Sequence, residues 1–532
     1  MSIYGEIGPR KTKTPQTEPL FNRDMIKNAA GGYTFKADDW VAFERFLLLG
    51  SEGGTYYTSE RALTLDNAKR VLACINKDGE KAVRIIADIS DSGRAVKNDP
   101  AIFALALAAS AENPYTRALA LGNLSRVCRI PTHLFHFLTY IQTFRGWGRG
   151  LKRAVADWYN NMPVDKLAYE LVKYQSRDGW SNADALRKAH PKTADVQRNA
   201  VYKWAVDGND EKIGGLVPEI INGFEIVKEF KGDFKSVAGY ISKYNLSREM
   251  VPTEALNSVD VWEALLQKMP ITALIRNLGK MSQVGLLAPL ADANKLVVDK
   301  LHNEELIKKG RVHPITILMA LKVYQQGHGD KGSLKWTPVQ PVLDALDDAF
   351  YLAFKYLEPT GKSFLFGIDC SGSMTGGYQF RQTAGLSPAT IAAAMAMACI
   401  HTEKNYHVLS FDTKVQKLPN LTTKMRLVDV LKEATGLTGG GTDCAVPHHW
   451  AITNKVHPDV IVTITDGETW AGTEHVTQAL SRLRSASGKH VKSINLACTA
   501  NNNSLHDPND LGCLDVAGFD ASVPAAITEF VR

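Results

Sequence analysis

The sequence lacks the long apolar segments that a membrane protein needs. No uninterrupted run of roughly 18 apolar residues occurs in its 532 residues. The N-terminal stretch MSIYGEIGPRKTKTPQTEP also lacks the apolar core of a secretory signal. We therefore expect a cytoplasmic protein without a membrane partner, whose residues 1–20 form a polar arm.

Cysteine is scarce and is not arranged in pairs. The chain has 7 Cys residues, an odd number, and no two of them form a Cys-x-x-Cys motif. This pattern argues against a disulfide framework and against a cysteine-based zinc site. It is typical of proteins in a reducing compartment.

A large excess of one charge is missing as well. The formal net charge is +6, from 62 Lys and Arg residues against 56 Asp and Glu residues. Residues 361–532 hold 14 basic and 15 acidic residues, so the other 48 basic and 41 acidic residues place the positive excess in the first 360. This excess favours a polyanionic partner for the N-terminal part, although an evenly solvated surface would explain it equally well.

Most of the chain before residue 355 is predicted to be helical. Apolar residues recur at i, i+3, i+4 and i+7 in segments of about a dozen residues, separated by short turns. Examples are residues 38–50, 65–77, 80–91, 100–111 and 116–128. Helices this short cannot each bury a face alone, so we predict an α-solenoid of HEAT-like helix pairs, with a compact all-α bundle as the alternative.

The pattern changes after residue 362 to alternating strands and helices. Strands are predicted at 363–369, 407–412, 459–466 and 491–497, and helices at 387–404, 427–435, 473–486 and 522–532. Continuous Val- and Ile-rich strands that alternate with helices indicate an α/β, doubly wound parallel sheet covered on both faces. Ligands of such sheets bind beyond the carboxyl ends of the strands.

Hydroxyl and carboxylate side chains gather at those predicted strand ends. Asp369, Ser371 and Ser373 alternate after the first strand, and Asp466 follows the third. Thr442 follows three glycines, which let a loop approach closely. Oxygen-only ligands suit a hard divalent cation, with Mg²⁺ as first choice and Mn²⁺ or Ca²⁺ as alternatives. Because this set carries little charge, the cation would keep an open position that an acidic protein ligand could fill.

A basic segment in the helical part is a candidate for RNA binding. Lys173 and Arg177 are spaced to share one helix face, Gly179 would end that helix, and Ser181 would cap the next. The end of that next helix carries groups that could hold phosphates or stack on a base: Arg187, Lys188 and His190.

A second candidate is the apolar helix predicted over residues 269–281, which carries Arg276 and Lys280. For both segments a structural explanation stays open, because cations near a helix C-terminus are also stabilised by the helix dipole.

The metal motif and several other stretches resemble known families. Asp-x-Ser-x-Ser, a distant Thr and a further Asp resemble the metal-ion-dependent adhesion site (MIDAS) of von Willebrand factor A domains. The chain as a whole resembles the Ro autoantigen family, and specifically a bacterial Ro orthologue. The stretches that carry this second resemblance are residues 173–180 with His190, 257–266, 269–281, 313–314, 327–329 with 334–336, 358–362 and the metal motif.

The resemblance implies an organisation and a function. Residues 21–361 would form a TROVE domain, a ring of HEAT-like repeats, and residues 362–532 a von Willebrand factor A domain. The outer surface of the ring would bind Y RNA through Lys173, Arg177 and His190, and its hole would accept single-stranded ends of misfolded non-coding RNA. Such proteins act in RNA quality control, maturation, decay and stress response, beside an exoribonuclease and without catalysis of their own.

Two other functions are weighed against this one. The first is a metal-dependent protein-interaction scaffold without significant RNA binding. The second is a metal-dependent nuclease at Asp369 and Asp466, which is disfavoured because two-metal phosphoryl chemistry needs a denser set of carboxylates.

Overall fold

A computed structural model of the chain describes residues 13–51, 55, 57–209, 213, 215–229, 232–329, 333–352, 354, 359–375, 386–417, 421–422, 424–435, 439–520 and 522–532. It divides into two compact units. One comprises residues 71–352 and is helical; the other combines residues up to 70 with residues 353–532 and contains a parallel sheet. The predicted fold class, a helical region followed by a doubly wound α/β domain, is confirmed.

The helices that precede residue 353 are short, as the apolar periodicity predicted. They are α1 (Asp39–Leu49), α2 (Glu60–Lys77), α3 (Gly79–Ser92), α4 (Asp99–Ala108), α5 (Pro114–Gly122), α6 (Leu124–Val127), α7 (Pro131–Phe144), α8 (Arg149–Asn160), α9 (Val164–Lys173), α10 (Asn182–Ala189), α11 (Val196–Asp207), α12 (Glu219–Glu229), α13 (Phe234–Tyr244), α14 (Val259–Lys268), α15 (Ile271–Gln283), α16 (Ala293–Leu301), α17 (Glu304–Lys309), α18 (Pro314–Gln326) and α19 (Gln340–Leu352). Two 3₁₀ turns, Arg248–Met250 and Thr253–Asn257, precede α14.

The strands and the remaining helices follow. The strands are β1 (Met25–Lys27), β2 (Tyr33–Lys36), β3 (Ser176–Arg177), β4 (Trp180–Ser181), β5 (Ser363–Asp369), β6 (Asn405–Phe411), β7 (Val415–Lys417), β8 (Val460–Thr465), β9 (Lys492–Ala497), β10 (Asn503–Ser504) and β11 (Cys513–Ala517). The later helices are α20 (Gly372–Thr375), α21 (Pro388–Ile400), α22 (Leu427–Thr435), α23 (Val446–Thr453), α24 (Val476–Ser487) and α25 (Ser522–Val531).

The helical unit packs largely between neighbours in sequence. Contacting pairs include α3 with α4, α13 with α14, and α18 with α19. The two ends of the unit also meet, because Arg311 Nη2 lies 2.8 Å from Asp91 Oδ1 and His313 Nε2 lies 3.1 Å from the Arg94 carbonyl oxygen. The helical array therefore returns on itself.

The segment after α9 differs from its prediction. Helix α9 ends at Lys173, and Arg177 pairs with Trp180 in the antiparallel hairpin β3–β4. The turn residues Asp178 and Gly179 have φ of 54° and 78°, the left-handed backbone that a two-residue hairpin turn requires. The predicted helix through Arg177 is wrong for that reason. The predicted cap is confirmed, since Ser181 Oγ accepts a 3.2 Å hydrogen bond from the Asp184 amide at the start of α10.

The sheet of the second unit has the order β11-β9-β8-β5-β6-β7. Its pairings are parallel except that of β7, which lies antiparallel at the edge beside β6. Strands β5 and β8, two of the four predicted strands, lie side by side in the middle of the sheet. Both are buried along nearly their whole length. Their carboxyl ends therefore open on the same side of a packed core.

The N-terminal residues also belong to this unit. The Gln16 side chain is fully buried, and its Nε2 donates to Asp443 Oδ1 at 2.8 Å and to the Glu474 carbonyl at 3.0 Å. Strands β1 and β2 form a small sheet with β10. The domain boundaries predicted at residues 20 and 361 follow the change in sequence pattern. In the structure, residues 13–70 pack in the same compact unit as the C-terminal domain. Residues 1–12 of the predicted arm and Glu358 lie outside the described residues.

All seven cysteines are unpaired, and all but Cys513 are buried. Among the described residues, no helix is long and apolar enough to cross a membrane.

Candidate functional site

The predicted metal residues come together at the carboxyl ends of two adjacent strands. Asp369 ends β5 and Asp466 follows β8, and the parallel pairing of these strands brings both carboxylates to one edge of the sheet. Asp369 Oδ1 accepts from the Ser371 amide at 2.8 Å, and the Ser371 and Ser373 hydroxyls lie 3.2 Å apart. The sequence spacing therefore folds into one cluster.

The glycine loop before Thr442 approaches this cluster as closely as backbone atoms allow. A Cβ at Gly439 would overlap the Cys370 carbonyl oxygen. The Gly372 amide donates to the Gly440 carbonyl at 2.9 Å, and the Gly440 amide donates to Asp412 Oδ2 at 3.1 Å. Sequence reasoning missed Asp412, which holds the loop; its position at the carboxyl end of the strand predicted over 407–412 was the available signal.

Thr442 follows this loop and carries a hydroxyl whose hydrogen bonding is unsatisfied. Its side chain is fully buried, and its Oγ1 has no hydrogen-bond partner among the residues that the structure describes. A buried hydroxyl without a partner is costly, so an electropositive ligand at this point would remove a real penalty. Thr442, Ser371, Ser373, Asp369 and Asp466 are thus a donor set that fits a hard cation.

The carboxylates of the cluster are electrostatically destabilised as they stand. Burial, reinforced by Asp466, raises the pKa of Asp369 to about 7, and burial also raises the pKa of Asp466. Both shifts follow mainly from the removal of the carboxylates from water. In the described ranges, no group of three or more His, Cys, Asp or Glu residues is arranged to hold a metal, so a cation here depends on the hydroxyl ligands.

Two neighbours of the cluster were not singled out from the sequence. Burial and then Asp466 raise the pKa of Glu468 to about 7, and this carboxylate accepts from Asn503 Nδ2 at 2.9 Å and from the Ala30 amide at 3.2 Å. Tyr57 hydrogen-bonds with Ser373, and burial raises its pKa to about 12. The N-terminal residues therefore border the cluster, which no local sequence signal indicates.

In the helical unit, the side chain of Lys173 is only 13% exposed, which is less than expected for a surface lysine that binds phosphate. Its Nζ lies 3.5 Å from the Tyr169 hydroxyl, 3.9 Å from Glu249 Oε2 and 5.1 Å from the centre of the Tyr174 ring. Burial opposes its charge, but Tyr169, Tyr174 and Glu249 outweigh burial and raise the pKa of Lys173. The side chain is held in place as a cation.

Lys173 shares a cavity with cations that sequence reasoning did not select. The cavity has a volume of about 440 Å³, and Arg248 and Lys268 line it together with Lys173. Burial and the nearby charge of Arg248 lower the pKa of Lys280, whose Nζ donates to Asn257 Oδ1 at 2.9 Å. Arg276 is exposed one turn earlier on α15. Arg248 thus connects two basic segments that are a hundred residues apart in the sequence.

The hairpin carries a second group of cations. Arg177 is exposed, with 62% of its side chain accessible, and its strand partner Trp180 is buried. Lys188 Nζ lies 5.8 Å from the Trp180 ring and 5.5 Å from the ring of Trp147. Trp147 lies in the short connection between α7 and α8, and the fold brings it next to Trp180 and Lys188.

The last two predicted residues border α10. Arg187 is exposed and its Nη2 donates to the Val206 carbonyl at 2.8 Å, which ties α10 to α11. His190 is exposed and forms the C-cap of α10 with φ of 49°. The structure therefore presents Arg177, Lys188 and His190 outward, while Lys173 faces the cavity.

Comparison with known proteins assigns the chain to a family. Residues 363–531 match a family model described as the Ro60 vWA domain, and residues 26–211 and 241–323 match the TROVE domain. The chain is 40% identical over 520 residues to the RNA-binding protein RO60 of Deinococcus radiodurans, with 97% of each sequence covered. This chain belongs to the Ro60 family.

Other Ro60 relatives agree with this assignment. The RNA-binding protein RO60 of Caenorhabditis elegans is 35% identical over 596 aligned residues, covering 98% of this chain and 92% of the relative. The crystal structure of the D. radiodurans Ro (RSR) protein superimposes with a TM-score of 0.71 at 39% identity, covering 93% of this chain and 99% of that one. The resemblance of the sequence to the Ro family is confirmed over the full length.

Proposed function

We propose that this Ro60 family member binds small structured non-coding RNA on the helical unit. Support comes from the relatives, which are named RNA-binding proteins, and from the charge distribution. The observation that carries the proposal is the convergence of Lys173, Arg248, Lys268 and Lys280, because phosphate binding requires concentrated positive charge. If the positive charge of the first 360 residues were spread evenly over the surface, RNA binding would release few counterions and would be weak.

In its finer form, the proposal follows the family. The protein would bind Y RNA through Arg177, His190 and Lys173 and would receive single-stranded ends of misfolded RNA near Arg276 and Lys280. It would act in the cytoplasm in RNA quality control and stress response, handing RNA to an exoribonuclease and catalysing no reaction itself.

A salt titration of RNA affinity tests this function. We expect the variant Arg177→Ala/His190→Ser to lose about tenfold or more in affinity for a small stem-loop RNA and to show a shallower dependence of log K on log salt, because fewer phosphates are neutralised. The measurement is filter binding at several salt concentrations.

The matched control is Lys404→Ala/Lys424→Ala, which removes two exposed cations from the C-terminal domain. We expect this variant to bind as the wild type does. Equal affinities and slopes in the wild type and both variants would refute the RNA interface and favour the scaffold function.

We further propose that the C-terminal domain holds Mg²⁺, or Mn²⁺ or Ca²⁺, through Asp369, Ser371, Ser373, Thr442 and Asp466. The unpartnered Thr442 hydroxyl supports this proposal most directly. When bound, the cation would offer an open position to a carboxylate of a protein partner, in the manner of a metal-ion-dependent adhesion site.

A pair of isosteric threonine variants tests the metal site. Thr442→Val removes the proposed ligand, whereas Thr463→Val removes another buried hydroxyl without a partner from the neighbouring strand β8. We expect Mn²⁺ affinity, measured by calorimetry, to fall about tenfold or more in Thr442→Val and to stay unchanged in Thr463→Val. Unchanged affinity in both would exclude Thr442 as a ligand.

A further inference from the structure

Two aromatic residues lie between solvent and the cluster of proposed metal ligands. Asp369 and Thr442 of the cluster are fully buried, whereas Tyr57 is half-buried and Trp470 is 38% exposed. The Trp470 amide donates to the Thr442 carbonyl at 3.0 Å, and a Cβ at Gly441 would lie 2.8 Å from the Trp470 ring. A ligand that reaches the cluster on this side therefore passes both rings.

Tyr57 and Trp470 also place hydrogen-bond donors at this point. An indole nitrogen only donates, so Trp470 Nε1 donates to the Tyr57 hydroxyl, and Tyr57 in turn hydrogen-bonds with Ser373. The Ser373 hydroxyl donates to Asp466, and its oxygen lies 3.2 Å from the Ser371 hydroxyl. The proton of Tyr57 is therefore directed at an oxygen that is itself a proposed cation ligand.

The use of Ser373 as a ligand would change this arrangement. A serine oxygen has two lone pairs, so it cannot accept from Tyr57 and Ser371 and coordinate a cation as well. Ser371 is fully buried, whereas Tyr57 reaches solvent, so the Tyr57 proton turns to an acceptor that arrives from outside. Burial, reinforced by Asp466 and Glu468, raises the pKa of Tyr57 to about 12, so the phenol keeps this proton at neutral pH.

We infer that Tyr57, held in place by Trp470, selects a carboxylate as the ligand that completes the metal site. The inference rests on the proposed cation site. One oxygen of an Asp or Glu side chain of a protein partner would take the open position, and the other would accept the proton of Tyr57. A phosphodiester of RNA is less suitable, because residues 361–532 hold 14 basic and 15 acidic residues and offer a polyanion no excess of positive charge.

The surrounding carboxyl groups make this ligand dependent on the cation. Asp369, Asp466 and Glu468 interact at this end of the sheet, and all three are buried. A further carboxylate would add negative charge to a site that already disfavours it. We therefore expect acetate, the smallest probe of this chemistry, to bind the Mn²⁺-loaded protein and to leave the metal-free protein unbound.

The experiment titrates acetate into the Mn²⁺-loaded full-length protein. Water-proton relaxation measures acetate binding, because a ligand at the open position displaces water from manganese, and calorimetry measures the Mn²⁺ affinity of each variant separately. Tyr57→Phe removes the hydroxyl and keeps the ring, whereas Trp470→Phe removes the indole donor that holds it. The control is Tyr406→Phe, a partly exposed tyrosine at the amino end of β6, at the opposite end of the sheet from Asp369.

The outcomes separate this inference from the metal site on which it rests. We expect Tyr57→Phe to weaken acetate binding about tenfold, as for one hydrogen bond to a charged group, and Trp470→Phe to weaken it about threefold. Both variants keep their Mn²⁺ affinity within about twofold because every proposed ligand is retained, and Tyr406→Phe changes neither affinity. Unchanged acetate binding in both variants, or a Mn²⁺ affinity that falls in step with it, would overturn the inference while the metal site stands. A wild type that binds no Mn²⁺ would overturn both.

A third arm distinguishes a carboxylate from the phosphodiester of a nucleic acid. Dimethyl phosphate replaces acetate in the titration of the Mn²⁺-loaded wild type and of Tyr57→Phe. We expect it to bind more weakly than acetate and to be indifferent to the Tyr57 hydroxyl. Binding as tight as that of acetate, with the same loss in Tyr57→Phe, would assign this side of the site to RNA and overturn the selection of a carboxylate.

Discussion

At the scale of single residues, the candidate sites are defined by side chains whose electrostatic or hydrogen-bonding needs are unmet. Thr442 has a buried hydroxyl without a partner, and Asp369 has a carboxyl whose pKa rises to about 7 because burial and Asp466 disfavour its charge. Residue types and spacing predicted these two positions. The role of Arg248 was not predictable, because this residue lies outside both basic segments in the sequence. Only the fold brings it close to Lys173 and Lys280.

One residue-scale prediction concerns His448, a fully buried imidazole with no partner for either ring nitrogen. Burial, with smaller effects of His506, His449 and Arg484, lowers its pKa to about 3. In the unfolded chain the imidazole takes up a proton near pH 6.5, whereas in the folded chain it stays neutral. Protonation of the unfolded state therefore lowers the stability of the fold as the pH falls below about 6.5. We expect His448 to account for about 1 kcal/mol of lost stability between roughly pH 7.5 and pH 5.5.

The variant His448→Leu keeps a similar volume without titrating. Denaturant unfolding at both pH values should show a smaller loss of stability for this variant than for the wild type. An identical pH dependence in the two proteins would mean that His448 is not buried in the neutral form.

At the scale of elements, the two candidate sites depend on loops and turns more than on the regular structure around them. The turn at Asp178 and Gly179 converts a predicted helix face into a hairpin and separates the surroundings of Arg177 from those of Lys173. Helical periodicity did not exclude that turn, because the segment's few apolar residues fit either structure.

The glycine loop gives the element-scale prediction. A methyl group at residue 439 would collide with the backbone of Cys370 and Ser371, so Gly439→Ala should push the loop and Thr442 away from the cluster. We expect Mn²⁺ affinity to fall about tenfold or more in calorimetry and the melting temperature to drop.

The adjacent residue provides the control for this prediction. A Cβ at Gly440 would approach nothing more closely than Asp412 Oδ2, at 3.8 Å. Gly440→Ala should therefore bind Mn²⁺ nearly as the wild type does. Equal losses in the two variants would show that loop flexibility, and not close approach, is what the glycines provide.

At the scale of the whole molecule, chain order and packing order differ. Residues 13–70 pack with the C-terminal domain, although they precede the helical unit in the sequence. The family model for the TROVE domain begins at residue 26, so part of the sequence it matches lies in the same compact unit as the von Willebrand factor A domain. That compact unit is therefore built from both ends of the chain.

Gln16 supplies the test at this scale. Its Oε1 accepts from Thr469 Oγ1 at 2.5 Å and from the Gly472 amide at 3.0 Å, in addition to the two bonds that its Nε2 donates. Gln16→Ala removes these four buried hydrogen bonds and should lower the free energy of unfolding of the C-terminal unit by about 2–4 kcal/mol. Gln197→Ala, an exposed glutamine on α11, should cost less than about 0.5 kcal/mol. Urea unfolding followed by fluorescence measures both, and equal stabilities would mean that the N-terminal residues are dispensable for this unit.

The sequence by itself determined the fold class, the strands β5, β6, β8 and β9 and the helices α21, α22, α24 and α25 of the C-terminal domain, and the polar residues that gather beside β5 and β8. These depend on local periodicity and on the rule that parallel strands end at one edge of a sheet, both of which can be read along the chain. Only the tertiary structure decided that Arg248 joins Lys173 to Lys280, that Asp412 and Gly439 set the loop, and that Gln16 completes the C-terminal domain. Those relations join residues 28 to more than 400 positions apart, and their specificity comes from burial and hydrogen bonding between segments that carry no signal of one another in the sequence.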